Sequence, residues 1–295
     1  MIRFSKYILL YFAISACILL PGIYSLVRFG FKPSVDFTGG TLLEISSKKN
    51  LDRSVFDKIS SDTKLPLISQ TDTGKSYILR FKSSSDTQIS GYITALEKTP
   101  AGKITVVRQE TVGPVLGKEL LSKAIIAALV AMFGIFSYVA YAFKDFKFGM
   151  SAIIALIHDI LVVFGTFSIL GVLAGVEVDT LFVTAFLTTM SFSVHDTIVI
   201  FDRIREYRRR DTKTPFDALS DRALTETMGR SLVNSFTIIF MLLALVLMGG
   251  ETVRWFAVAL LIGTITGTYS SPFVATPVVL LWDRWEKRRN HGRSR

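Results

Sequence analysis

The stretch "SFSVHDTIVIFDRIRE" (191–206) closes a long apolar run by placing His195 and Asp196 just before the chain breaks into charge. Whether that carboxylate is ordinary or costly depends on the solvent around the run. The chain has 295 residues, 50% of them hydrophobic, and a mean hydropathy of +0.44, a balance that points to the membrane class. Six apolar runs, at 7–27, 124–143, 150–173, 180–201, 231–248 and 255–281, are long enough to cross about 30 Å of hydrocarbon. The quoted stretch ends the fourth of them. Asp196 stands one heptad before Arg203, about 10 Å inside the membrane edge.

The first run follows Arg3 and Lys6, and "ISAC" (14–17) loosely resembles a lipoprotein cleavage box. The run continues through Ile18, Leu19 and Leu20, too long for a signal-peptide core, so a retained anchor is expected. Cys17 is the only cysteine, which excludes an internal disulfide framework. The net charge of +10 comes from Lys and Arg clustered at 144–147, 203–213 and 286–295. The short segments 174–179 and 249–252 carry Glu177, Asp179 and Glu251 and no Lys or Arg. The positive-inside rule then places both termini in the cytoplasm. The basic residues thus have a topological explanation, and no nucleic-acid partner is expected. The resulting division is 1–28 (tail and first crossing), 29–122 (extracytoplasmic domain), 123–202 (crossings two to four), 203–229 (basic cytoplasmic loop), 230–282 (crossings five and six) and 283–295 (basic tail).

The extracytoplasmic segment has its own periodic elements. "GTLLEIS" (40–46), "LPLISQT" (65–71), "SYILRFK" (76–82) and "KITVVRQE" (103–110) read as strands, with a turn at "DTGK" (72–75). Segments 51–60 and 85–98 have helical spacing, the second with Ser85 and Gln88 at capping-box distance. The order β-α-β-β-α-β predicts a small α+β, ferredoxin-like domain. It holds no His and no Cys, and "FTGGT" (37–41) is too short to be a phosphate loop, so a docking role is expected rather than catalysis.

Ionisable groups inside crossings point to function. The third crossing carries His158 and Asp159 near mid-depth; the fourth carries His195 and Asp196. Thr189, Ser193, Asp196 and Arg203 share one helical stripe, with His195 rotated about 100° away. That stripe is expected to face the bundle interior or water. Arg230, at the start of the fifth crossing, is a candidate partner for Asp196 if the fourth and fifth helices are neighbours. Each residue also has a plainer reading: interhelical hydrogen bonding for the aspartates, a lipid-phosphate anchor for Arg230, and ordinary buried imidazoles for both histidines. No cofactor or metal site is indicated, and no enzyme motif.

Three stretches resemble the SecD/SecF protein-export family: "VDFTGGTLLEI" (35–45), "DTIVIFDRIRE" (196–206) and "GGETVRWFAVALLIGTITGTYSS" (249–271). The layout of six crossings with one large domain after the first is similar too. The resemblance implies half of a resistance-nodulation-division (RND) type assembly in the bacterial plasma membrane. Such a half pairs with SecD, associates with the SecYEG channel and a YidC-like insertase, and uses the proton motive force to draw a translocating polypeptide outward. It also implies a proton path through Asp196, Arg230 and Asp159, with Thr189, Ser193 and Asn234 as a supporting polar stripe. This chain departs from the family pattern at Ser191, Phe192, His195, Asn234 and Pro272. Six helices expose a large lateral surface; "GTITG" (263–267) fits a small-xxx-small contact there, Pro272 and Pro277 invite bends nearby, and a partner of similar architecture is expected to bury this face.

Two other functions use the same residues. Half of an RND-type exporter of lipids or small molecules shares the aspartate logic, but would need a substrate channel in its small domain. An intramembrane aspartyl protease would use Asp159 and Asp196 as a proton-sharing dyad, yet its Tyr-Asp and Gly-x-Gly-Asp motifs are missing. Ser193 and His195, two apart on a helix, cannot form a nucleophile–base pair. A purely structural scaffold would show no dependence on Asp196.

Overall fold

The computed structural model describes residues 3–47, 50–72, 76–82, 84–99, 102–143 and 145–293. Most of the turn expected at "DTGK" (residues 73–75), together with Lys144, lies outside the described residues. The chain forms two units, Pro33–Ile126 on one hand and Met1–Lys32 with Ala127–Arg295 on the other.

Helix α1 (Ile8–Phe29) is followed by a short helix α2 (Val35–Thr38) that opens the smaller unit. Then come β1 (Gly40–Ser46), α3 (Arg53–Asp62), β2 (Leu67–Asp72), β3 (Tyr77–Phe81), α4 (Asp86–Glu97) and β4 (Thr105–Val112). The sheet order is β2-β3-β1-β4 with every pair antiparallel, the split βαβ arrangement expected from the element order. Leu43 and Ile45 of β1 and Leu79 and Phe81 of β3 alternate onto one face. There they meet Phe56 and Ile59 of α3 and Ile89, Tyr92 and Leu96 of α4. Ser85 and Gln88 form the capping box: the Ser85 N–H donates to Gln88 Oε1 at 3.0 Å and the Gln88 N–H to Ser85 Oγ at 3.4 Å.

The paired glycines of "DFTGG" have a backbone reason. Gly39 and Gly40 sit at φ 70° and 130°, where side chains are strained. A Cβ on Gly39 would lie 2.7 Å from Pro114 Cα, and one on Gly40 2.7 Å from the Phe81 carbonyl oxygen. Two glycines let the entry to β1 run flush against neighbouring backbone.

Helix α5 (Pro114–Ala142) begins in the smaller unit and ends in the larger, which continues through α6 (Phe146–Ala174), α7 (Thr180–Arg210) and α8 (Phe216–Met248). It ends with α9 (Glu251–Ser270), a five-residue π-helical turn (Ser271–Ala275) and α10 (Thr276–Arg293), which together make the sixth long segment. Among the described residues six helices are long and apolar enough to cross a membrane. Asp145 caps α6 by accepting the Lys147 N–H at 3.3 Å, and Asp179 caps α7 by accepting the Phe182 N–H at 2.7 Å.

Several boundaries differ from the apolar runs, because hydropathy marks only the hydrocarbon-facing part of a helix. Segment 203–229, read from the sequence as a loop, is helical apart from 211–215. Its charges make side-chain pairs: Arg203 Nη1 with Glu206 at 2.5 Å, Arg203 with Glu226 across to α8, and Arg210 with Glu206 at 2.7 Å. Arg230 consequently stands well inside α8 rather than at its opening. Lys147, read as part of a basic loop, is buried in the first turn of α6 and pairs with Asp283 of α10 at 2.9 Å.

Close helix contacts rest on small residues, as expected where lipid offers no hydrophobic drive for association. Gly22 of α1 meets Gly165 of α6, where an added Cβ at 165 would lie 2.6 Å from Gly22 Cα, and Ser25 and Ser168 hydrogen-bond at 2.9 Å beside them. The "GTITG" segment corrects an expectation. Its glycines do not await a partner protein: Gly263 lies against Thr189 and Gly267 against Ser193, so the motif joins α9 to α7 within this chain.

Candidate functional site

Three helices bring the intramembrane polar residues together. Residues 189, 193 and 196 recur at helical spacing, so α7 turns Thr189, Ser193 and Asp196 to one side, and all three are buried. The glycines of α9 lie directly on that side, which explains why a stripe of hydroxyls is tolerated there. The Thr189 hydroxyl donates to the Phe186 carbonyl at 2.9 Å.

Asp159, on α6, is 5% exposed and receives three contacts. Ser193 Oγ donates to its Oδ2 at 2.5 Å, Ser270 Oγ of α9 donates to the same oxygen at 2.6 Å, and His158 Nδ1 lies 2.9 Å from its Oδ1. The carboxylate therefore ties α6, α7 and α9 at one point.

Asp196 is equally buried, at 7% exposed, but held differently. Among the described residues its only side-chain donor is Ser231 Oγ of α8, at 2.6 Å. It borders an open groove of about 490 Å³ between α7 and α8, lined also by His195, Val199, Ile200, Thr227, Arg230 and Asn234. Arg230 and Asn234 are exposed there, and Arg230 makes no ion pair with Asp196 among the described residues. The two share one groove without direct contact. His195 departs from the expectation of a buried imidazole: it is exposed and lines the same groove. The difference in coordination separates the two carboxylates chemically. Asp159 is saturated with donors inside the bundle, whereas Asp196 has one protein donor and a polar opening beside it.

The two aspartates share no hydrogen bond among the described residues. Asp159 engages α9 and Asp196 engages α8, which removes the proton-sharing dyad that an aspartyl protease requires. No group of three or more His, Cys, Asp or Glu among the described residues is placed to hold a metal ion.

Residue-by-residue reading of the sequence missed Ser231, Ser270, Ser271 and Thr197. Thr197 Oγ1 and Ser271 Oγ lie 2.8 Å apart, next to the Asp159 cluster. The available signal was "YSSP": Pro272 lacks an N–H, so the α-helical bond to the carbonyl of residue 268 cannot form. The helix widens into the π turn, with the Thr276 N–H reaching Ser271 O. Ser270 and Ser271 then serve two different neighbouring helices.

Comparison with known proteins shows the family to which this fold belongs. The family model described as protein export membrane protein SecD/SecF, C-terminal, matches residues 92–285, and the SecD/SecF GG motif matches 24–50. The chain belongs to the SecD/SecF protein-export family. A protein translocase subunit SecF from Anaerolinea thermophila is 38% identical over 287 residues, covering 95% of this chain and 93% of that one. A protein translocase subunit SecDF from Thermus thermophilus is 32% identical, covering 95% of this chain but 38% of its own length. The crystal structure of SecDF, a translocon-associated membrane protein from a Thermus species, superposes with a TM-score of 0.84 at 30% identity. It covers 96% of this chain and 39% of SecDF, so this SecD/SecF member spans about two fifths of the fused protein. The GG motif of the family is the Gly39–Gly40 pair already accounted for by backbone approach.

Proposed function

We propose that this chain is the SecF-type half of a protein-export complex driven by the proton motive force. It pairs with a SecD-type half, works beside a SecYEG channel and a YidC-like insertase, and acts on the translocating polypeptide. The observation that carries the reading is Asp196: a buried carboxylate with one protein donor, opening on a polar groove that also holds Arg230. In a membrane such a group is costly, and an ability to gain and lose a proton accounts for keeping it. Asp159, with Thr189 and Ser193, supports Asp196 from inside the bundle, and Asn234 lines the groove beside Arg230. The SecDF relative, one chain carrying a counterpart of this one within a longer sequence, supports pairing with a SecD-type half. The exposed apolar faces of α5 and α8, including Phe133, Val233, Phe240 and Met241, are surfaces such a half and lipid would cover. Native mass spectrometry of the complex from mild detergent should show a heteromer with a second multi-pass protein. Inverted vesicles carrying it should export a precursor faster when a proton gradient is imposed, and vesicles lacking this chain should not. A lone chain that restores full gradient stimulation would overturn the reading.

In this assignment the protein is in the bacterial plasma membrane, both termini and the 211–215 connection are cytoplasmic, and the Pro33–Ile126 unit is outside. The Lys and Arg distribution supports it. Cysteines placed at the exposed Lys58 and Lys213, in a Cys17→Ser background, should label from opposite sides of the membrane; labelling from the same side would refute the orientation.

A further inference from the structure

His158 takes no part in the groove around Asp196, yet among the described residues it is the one buried imidazole, 6% exposed. Its Nδ1 faces Asp159 Oδ1, while its Nε2 is buried with no hydrogen-bond partner among the described residues. An imidazole that donates from Nδ1 leaves at Nε2 a bare lone pair, which costs free energy in a dry interior unless it has a use. We propose that His158 and Asp159 form a second proton-holding pair, which takes up one proton as a unit and thereby loosens the grip of Asp159 on the π turn of the sixth crossing. This rests on the export reading above and adds a site to it.

The step balances with a single proton. In the proton-free form the His158 Nδ1–H donates to Asp159 Oδ1, and Oδ2 accepts from Ser193 and Ser270. The added proton binds Nε2, and the Nδ1 proton crosses to Oδ1. The product is a neutral imidazole of the other tautomer beside a carboxylic acid, with no charge left on the pair. A neutral pair suits a low-dielectric site better than a separated imidazolium and carboxylate. The acid then donates from Oδ1 back to Nδ1, and Oδ2, no longer anionic, is a weaker acceptor. The Ser270 hydroxyl has an alternative in the Gly267 carbonyl, 3.3 Å away. Its bond to Asp159 is the one that fixes the residue immediately before the π turn, so protonation frees the helix at its least regular point.

The surroundings leave the pair in control of its own proton. Helix α7 presents Ser193 and, three residues on, Asp196, which is engaged by α8. Helix α9 presents Ser270 and Tyr269, whose ring lies 6.4 Å from that of His158 and whose hydroxyl lies 3.1 Å from the Tyr11 carbonyl and 3.2 Å from Ser15 Oγ of α1. The carboxylates of α10, Asp283 and Glu286, are taken by Lys147, about 16 Å along α6 from His158. Among the described residues no Lys or Arg makes an ion pair with Asp159.

The test is a titration of the full-length chain in lipid nanodiscs, independent of export and of any partner. An Asp196→Asn background removes the carboxylate of the neighbouring groove. Replacing His195 and His291 by Gln leaves His158 as the only histidine of the three to report. On going from about pH 9 to about pH 5, across the imidazole range, a buried carboxylic C=O band should appear in the infrared spectrum. The ring nitrogens of His158 should exchange tautomers at the same midpoint. Asp159→Asn should abolish the band. Ser270→Ala, a small change outside the pair, should keep it. A ring and an acid that titrate at separate midpoints, a band that survives Asp159→Asn, or no band at all would overturn the proposal while leaving the role of Asp196 intact.

Discussion

Asp196→Asn should leave the chain folded and assembled with its SecD-type half, and should remove the gradient-stimulated part of export. The substitution keeps the shape of the side chain and an oxygen to accept from Ser231 Oγ, now 2.6 Å away, but fixes the group as neutral. If Asp196 served only as interhelical packing, Asn would replace it at little loss, since such neutral bonds contribute about 0.6–2 kcal/mol. If it carries a proton, the stimulated rate should fall by about tenfold or more, equivalent to at least about 1.4 kcal/mol on the driven step. Precursor export into inverted vesicles, with and without an imposed proton gradient, separates the two. Unchanged stimulation with normal assembly would return Asp196 to a packing role. Arg230→Ala should reduce stimulation as well, and because Arg230 makes no ion pair with Asp196 among the described residues, it should do so without leaving a broken buried pair.

What the sequence disclosed and what it concealed divide along physical lines. The six long helices were legible because crossing hydrocarbon demands about 20 apolar residues in a row, a signal few soluble segments match. The small unit was legible because its strands alternate and Ser85–Gln88 announces α4. Asp159 and Asp196 stood out through the cost of burying charge. Their partners did not. Ser231 and Ser270 are ordinary residues in their own helices, and only the packing of α8 on α7 and of α9 on α6 makes them donors. His195 reads from the sequence as an ordinary buried imidazole, an expectation about one helix that its exposure in the groove between α7 and α8 reverses. The glycines of "GTITG" were read correctly as a close contact but assigned to the wrong surface. A small-residue motif specifies proximity and carries no address: Gly263 and Gly267 fit a partner helix and α7 equally well until the fold is known.

Gly263 accordingly offers a sharp test of how the site is held. A Cβ at 263 would meet the Thr189 side chain well inside van der Waals range, at three of its atoms. Thr189 cannot yield easily, because its hydroxyl is bonded to the Phe186 carbonyl and it lies buried on α7. Gly263→Val should therefore force α9 away from α7, at an overpacking cost of about 1–3 kcal/mol or more. The same displacement should pull Ser270, two turns further along α9, from Asp159. The expected result is a lower thermal midpoint in detergent, a chain recovered poorly in complex, and loss of gradient-stimulated export. Gly263→Ala should show the same defects in milder form, since its single methyl is still too close. Thr189→Ala in the Gly263→Ala background removes two of the three clashing atoms, Cγ2 and Oγ1, and should recover part of the stability. The two changes should thus be coupled rather than additive, as expected for residues in direct contact. If Gly263→Val assembled with wild-type stability, or if Thr189→Ala worsened Gly263→Ala by the full amount of its own effect, the α7–α9 contact would not be what fixes the site.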